Sequence, residues 1–251
     1  MTLHVMTGIK PSKITMRTKK LVSIAAASVM AAHSASAAIV YQLDLQKDSQ
    51  STTQTGWTAS VAPNGGSAAT SMPTPAGVTI TAGGSGYFQG RAGGTWGAVN
   101  VTDADWNNLV GDTAAARNGN GTVIITFSGL ALNTEHQLTA WHNVSATDSS
   151  SFSSGSYTIT PSITTGSLVG TATNGQASNI KKGSTATAAD FNNSIISFTP
   201  DGSGNATVLL TSASTSQFLT LSGVQLESVP EPSASALLGL GGVALILRRR
   251  K

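Results

Sequence analysis

The chain of 251 residues contains no cysteine, which excludes disulfides, thiolate metal sites and cysteine nucleophiles. Charge is scarce as well, at 10% of residues, and aromatic side chains account for only 5%. Long hydrophobic runs are also missing. The two apolar stretches, residues 21–32 and 234–247, fall short of the about 20 residues that a lasting transmembrane helix needs. Basic charge is lacking where it would matter most. The pI of ≈ 9.3 reflects the two ends, because residues 39–228 hold ten acidic and five basic side chains, a net charge of −5. Such a body has no clustered cations to neutralise phosphates, so nucleic-acid binding is excluded.

What the body does have is Ser, Thr, Gly and Asn. Thr favours strands while Ser, Gly and Asn favour turns, so the composition predicts an all-β domain kept soluble by hydroxyls and amides. About 190 residues suffice to bury a core without staples. Alternation is plain at residues 39–45, where Ile39, Tyr41, Leu43 and Leu45 share one face while Val40, Gln42 and Asp44 share the other. Further strands are predicted at 57–61, 77–82, 87–89, 122–127, 136–142, 156–160, 167–171, 195–199, 206–211 and 218–226. Turn residues separate most of them, including Asn64-Gly65-Gly66, Gly83-Gly84-Ser85-Gly86, Asn174-Gly175 and Asp201-Gly202. Short strands at this spacing predict a single β-sandwich, jelly-roll-like, with one short helix at 103–110 capped by Thr102 or Asp103. The serine-rich residues 145–155 read as a mobile surface loop.

Both ends read as addresses rather than structure. Arg17, Lys19 and Lys20 precede the apolar run 21–32, and Ala35-Ser36-Ala37 follows with small residues where signal peptidase reads. That order predicts a signal peptide over 1–38, cleaved after Ala37 or Ala38. Met16 opens a more typical leader than Met1 does, so the first fifteen residues are either a mis-assigned start or a long leader. The body then spans 39–228. From 229 the chain runs Val229, Pro230, Glu231, Pro232, then the apolar stretch 234–247, then Arg248, Arg249, Arg250 and Lys251. The two prolines deny a helix and hold Glu231 in extended chain. Fourteen apolar residues as a helix reach about 21 Å, short of the ~30 Å hydrocarbon core, and the terminal cations keep that end in the cytoplasm. This makes a transient anchor rather than a permanent one.

The order of Pro230-Glu231-Pro232, apolar stretch and basic tail resembles the PEP-CTERM sorting signal. The resemblance implies recognition by an exosortase, cleavage near the motif, delivery to the surface, and a Gram-negative-type bacterium that makes exopolysaccharide. Within the body, residues 122–130, 136–143, 200–210 and 218–226 resemble a jelly-roll module of exported proteins. That likeness implies a galactose-binding-like sandwich and no particular ligand.

Constellations able to carry chemistry are few. His136 and His142, six apart, share a strand face but lie about 20 Å apart, so they cannot hold one metal; each reads as a surface or edge residue. Asp103 and Asp105 are spaced for an acid and a base, yet helix capping accounts for them. Asp201, Ser203 and Asn205 alternate as in calcium loops but lack the other acidic positions, so a hairpin turn is expected. No Gly-x-Ser-x-Gly elbow sits in a suitable context. The four tryptophans, Trp57, Trp96, Trp106 and Trp141, are expected to fill the core; Trp141 with His142 and Asn143 forms the best candidate glycan contact.

Metals and cofactors are therefore not expected. The predicted partners are signal peptidase, an exosortase, the membrane through the C-terminal helix, and extracellular polysaccharide. The functional expectation is a non-enzymatic envelope or extracellular-matrix protein. A carbohydrate-binding module is the first alternative, and a secreted polysaccharide hydrolase or lyase the second.

Overall fold

The computed structural model describes residues 37–46, 53–62, 69–92, 108–109, 112–117, 121–142, 144–146, 157–177, 179–181, 192–213 and 219–230. The leader up to Ser36, the tail from Glu231, Asp103, Asp105, Trp96, Trp106, Asn143 and most of 145–155 lie outside them. The chain separates into two units, Ala37–Val229 and the two ends together; the strands below all belong to the first.

Thr122–Phe127 shows why these segments are extended. TVIITF is β-branched and aromatic nearly throughout, and its side chains alternate between half-buried and buried, with Val123, Ile125 and Phe127 pointing inward. Seventeen such strands are described, numbered here along the chain. One six-stranded sheet runs in the order β11 (Ser167–Thr173), β14 (Asn193–Thr199), β8 (Glu135–Trp141), β17 (Gly223–Val229), β1 (Ala38–Gln46) and β2 (Thr58–Val61). A second runs β12 (Gly175–Ala177), β10 (Tyr157–Thr165), β15 (Ala206–Ser212), β7 (Thr122–Phe127), β4 (Val78–Ala82) and β3 (Ser71–Met72). Pairing within them is antiparallel except for β1 with β2.

Two smaller sheets complete the body. β16 (Leu219–Leu221), β6 (Asp112–Arg117) and β5 (Tyr87–Ala92) make one, and β9 (Val144–Ala146) pairs parallel with β13 (Asn179–Lys181) in the other. Leu43, Leu138, Ile196, Phe198 and Leu226 from the first large sheet share one core with Ile80, Ile125, Phe127, Val208 and Leu210 from the second. Phe88, Ala114, Ala116, Leu219 and Leu221 of the three-stranded sheet extend that core. A row of rings crosses it near the start of β8 and the ends of β7 and β14: Tyr41 stacks on Phe127 at 6.1 Å, Phe127 on Phe198 at 6.1 Å, and Phe198 on His136 at 6.0 Å. On the outer face of the second sheet, Thr79, Thr126 and Thr207 lie side by side on three strands, the last two 3.4 Å apart at their hydroxyls.

Most predicted strands are present with edges shifted by a few residues. The stretch 218–226 is two strands in different sheets, because the chain changes sheet at buried Ser222. Gly175 begins a short strand instead of a turn. Of the helix expected at 103–110, only 108–109 are described; both are helical, too few to form an element. Both histidines correct the surface expectation: His136 is 2% exposed and His142 0%. They do share the inward side of the sheet, and there the layers above β8 cover them.

Candidate functional site

The polar side chains converge at one end of the first large sheet, where β1, β17, β8 and β14 end beneath β16. Asp44 points away from the sandwich core yet is fully buried, because residues 53–57 fold over the outer face. Its Oδ2 accepts the Gln54 backbone N–H at 2.7 Å and the Gln46 side-chain amide at 3.2 Å; that amide also donates to Thr53 Oγ1 at 2.8 Å. A buried carboxylate so bonded fixes the covering segment in place.

Beyond the end of β8, His142 is held from two sides. The Thr220 carbonyl, 3.0 Å from Nδ1, can only accept, so Nδ1 carries the proton and Nε2 receives the Ser194 hydroxyl at 2.8 Å. Thr220 Oγ1 donates back to the His142 carbonyl at 2.9 Å. Burial pushes the His142 pKa down to about 4, and the Thr220 carbonyl opposes that shift only in part. The ring is therefore neutral at pH 7. A serine hydroxyl donating to an oriented imidazole is the geometry of a nucleophile and its base. Here both are sealed: Ser194 is 1% exposed, and Gly175 lies so close that a Cβ there would be 2.7 Å from His142 Cδ2. The pair joins β14 to β16 and, as placed, no substrate reaches it.

Trp141 is 7% exposed and meets the Trp57 ring edge-on at 5.4 Å. Of the proposed glycan trio, then, Trp141 and His142 are buried and Asn143 lies outside the described residues. The ring that reaches solvent at this end is Trp57. It can lie on the sheet because Gly223 has no side chain: a Cβ there would be 2.9 Å from the Trp57 ring and 2.6 Å from Leu109 Cδ1. Trp57 and Leu109, with Gln42, Gln54 and Gln225, line a surface pocket of ≈ 150 Å³. Gln42 Nε2 donates to Gln225 Oε1 at 3.0 Å, and Gln225 Nε2 donates to Glu227. Gln54 Oε1 is buried without a hydrogen-bond partner. The sequence reading missed this group because only the pairing of β1 with β17 sets Gln42 opposite Gln225; the outward position of Gln42 was its one visible signal.

Other candidates resolve into structure. Asp201 Oδ1 accepts the backbone N–H groups of Ser203 and Asn205, both at 2.9 Å, which closes the turn between β14 and β15. Among the described residues no acidic or histidine cluster is placed to hold a metal. Gly83 to Gly86 turn β4 into β5, with Gly86 N–H donating to the Gly83 carbonyl at 2.9 Å. Ala38 opens β1 and Val229 closes β17, while Ala35, Glu231, Pro232 and Arg248 to Arg250 lie outside the described residues.

The body so described is an all-β, sandwich-like unit with a polar end that bears a small pocket. Comparison with known proteins adds the address. Residues 228–251 match the PEP-CTERM protein-sorting motif. That motif implies an exosortase as processing partner, with export to the envelope or cell surface as the outcome. No curated protein matches the chain. Among solved structures, the crystal structure of the YXIM protein from Bacillus subtilis aligns with 75% of this chain at 12% identity and a TM-score of 0.35. This chain spans 39% of that protein's length, and the likeness is too slight to bear on function.

Proposed function

We propose that the protein is exported from a Gram-negative-type bacterium by way of signal peptidase, sorted by an exosortase, and left at the surface or in the extracellular matrix as a non-enzymatic coating or adhesive component. The observation that carries this reading is the sorting motif at 228–251. In this chain Val229, Pro230, Glu231 and Pro232 precede the apolar stretch 234–247 and the cations Arg248, Arg249 and Arg250.

The fold supports the reading in a second way. β1 and β17 are antiparallel neighbours, with Ala38 opposite Ser228, so both ends of the body leave it side by side. A folded body can then be held at one membrane by its leader and its tail simultaneously. The same adjacency of first and last strands, with the chain passing repeatedly between the two large sheets, supports a jelly-roll winding. Sealing of the Ser194–His142 pair supports a role without catalysis, and the polar pocket supports contact with extracellular polysaccharide.

Replacing Arg248, Arg249 and Arg250 together with Gln removes the charge that holds the tail in the cytoplasm. The expected result is loss of membrane retention and of tail processing, followed by cell fractionation and mass spectrometry of the mature protein. Mass spectrometry also reads the new amino terminus, expected at Ala38 or Ile39. Normal maturation and surface delivery of the triple variant contradicts the proposal.

A further inference from the structure

The pocket beside Trp57 has a composition that selects its ligand. Its lining residues are Gln42, Gln54, Gln225, Trp57 and Leu109. None of the five is charged, so the pocket cannot neutralise a phosphate, a sulfate or an ammonium group. Glu227, joined to Gln225 by a hydrogen bond, sets a carboxylate just beyond the wall and disfavours anions further. The carboxamides each offer a donor and an acceptor, the pattern that neighbouring hydroxyl groups satisfy. The indole of Trp57 supplies an apolar surface for a C–H face, with fully buried Leu109 behind it. Gln54 is 9% exposed, and its Oε1 takes no hydrogen bond. A buried acceptor of this kind is costly to leave unpaired, and Gln54 is one of the residues that line the pocket.

We propose that this pocket binds one neutral sugar ring, with the ring's C–H face on Trp57 and a hydroxyl donating to Gln54 Oε1. The volume of ≈ 150 Å³ is below the about 300 Å³ at which drug-sized sites begin, so it admits a single terminal or side-branch ring. Gln42 and Gln225 already hold each other at 3.0 Å and present a preset pair of amides to the remaining hydroxyls. Gly223 is a positioning residue, since only a bare Cα lets Trp57 and Leu109 lie against β17. The inference extends the non-enzymatic reading, in that the sugar is bound and left unchanged.

The test is saturation-transfer NMR on the isolated exported protein with methyl glycosides of glucose, galactose, mannose and N-acetylglucosamine, and with glucuronic acid and glucosamine as charged counterparts. Transfer to at least one neutral glycoside is expected, with affinity lowered at least tenfold in Gln54→Leu and in Gln225→Leu. Gln225 is only half-buried, so its variant keeps the test open if Gln54→Leu does not fold, and circular dichroism identifies the folded variants. Absence of transfer to every neutral glycoside overturns the proposal. So does equal or stronger binding of the charged sugars, or binding undiminished in folded Gln54→Leu and Gln225→Leu. A glycoside that is bound and then cleaved keeps the pocket and instead overturns the non-enzymatic function.

Discussion

Two buried regions of this sandwich, the ring-lined end and the polar end, use the same residue type in opposite ways. His136 and His142 stand six residues apart on the same inward side of β8 and its extension, and both are buried. Near the start of β8, His136 is one more flat ring stacked on Phe198, and neither nitrogen makes a hydrogen bond of good geometry, although the Ala131 backbone lies close enough to favour its charged form. At the end, both His142 nitrogens are bonded, to Thr220 and Ser194, and the ring ties two sheets together. The difference comes from what lies across from each. Phe198 of the neighbouring strand β14 offers His136 only a ring face, whereas Thr220 of β16 and Ser194 of β14 offer His142 a carbonyl and a hydroxyl. Burial alone therefore does not define a polar residue's work; the partners that its register brings do.

The sharpest way to break this comparison is to open the ring row. Phe198→Ala removes a fully buried ring that contacts both Phe127 and His136. The expected loss is about 3–5 kcal/mol, enough to unfold a marginal domain, read by chemical denaturation. A loss below about 1 kcal/mol contradicts a packed ring row.

The polar end is tested by acid. The His142 pKa falls from 6.5 in the unfolded chain to about 4 in the fold. Since the folded value is depressed, its full contribution is present above pH 6.5, declines as the pH drops, and is exhausted near pH 4. The window corresponds to about 3 kcal/mol in all, with about 2 kcal/mol gone by pH 5. Burial also lowers the His136 pKa, which adds in the same direction. Urea unfolding at pH 7.5, 6 and 5 measures the slope. Unchanged stability over that range contradicts the neutral, sealed His142, and the slope should shrink in His142→Asn.

How far these regions were legible beforehand follows from the same physics. β7 and β15 announced themselves by runs rich in Val, Ile, Leu and Thr, and β1 by alternation, local signals that survive without tertiary context. β6 did not. Its three alanines, Ala114 to Ala116, favour helix intrinsically, and they form a strand because β5 and β16 pair on both sides and bury all three. The pocket stayed hidden for a related reason, as three glutamines and a tryptophan far apart in sequence meet only through the β1–β17 register and the bare Cα of Gly223. The histidines were misplaced because their polarity suggested exposure. The sequence shows that His136 and His142 share a face, but not which layers cover it.

The smallest expected effect discriminates between the two histidines most directly. His136→Leu removes two buried nitrogens that lack a hydrogen bond of good geometry and keeps an apolar side chain beside Phe198. Relief of unsatisfied polar atoms is worth about 1–3 kcal/mol, while loss of the ring-to-ring contact costs about 0.5–1.5 kcal/mol. The terms nearly cancel, so the variant should match the wild type to within about 1 kcal/mol at pH 7.5, with any difference toward greater stability. The same change at His142 has the opposite outcome. His142→Leu strands the Ser194 hydroxyl and the Thr220 carbonyl in a dry interior, and about 2–4 kcal/mol should be lost. Thermal melts of the two leucine variants, run side by side, suffice for the measurement. Equal destabilisation would mean that His136 has a hydrogen-bonded role like that of His142, and the contrast between the ring-lined end and the hydrogen-bonded end would fail.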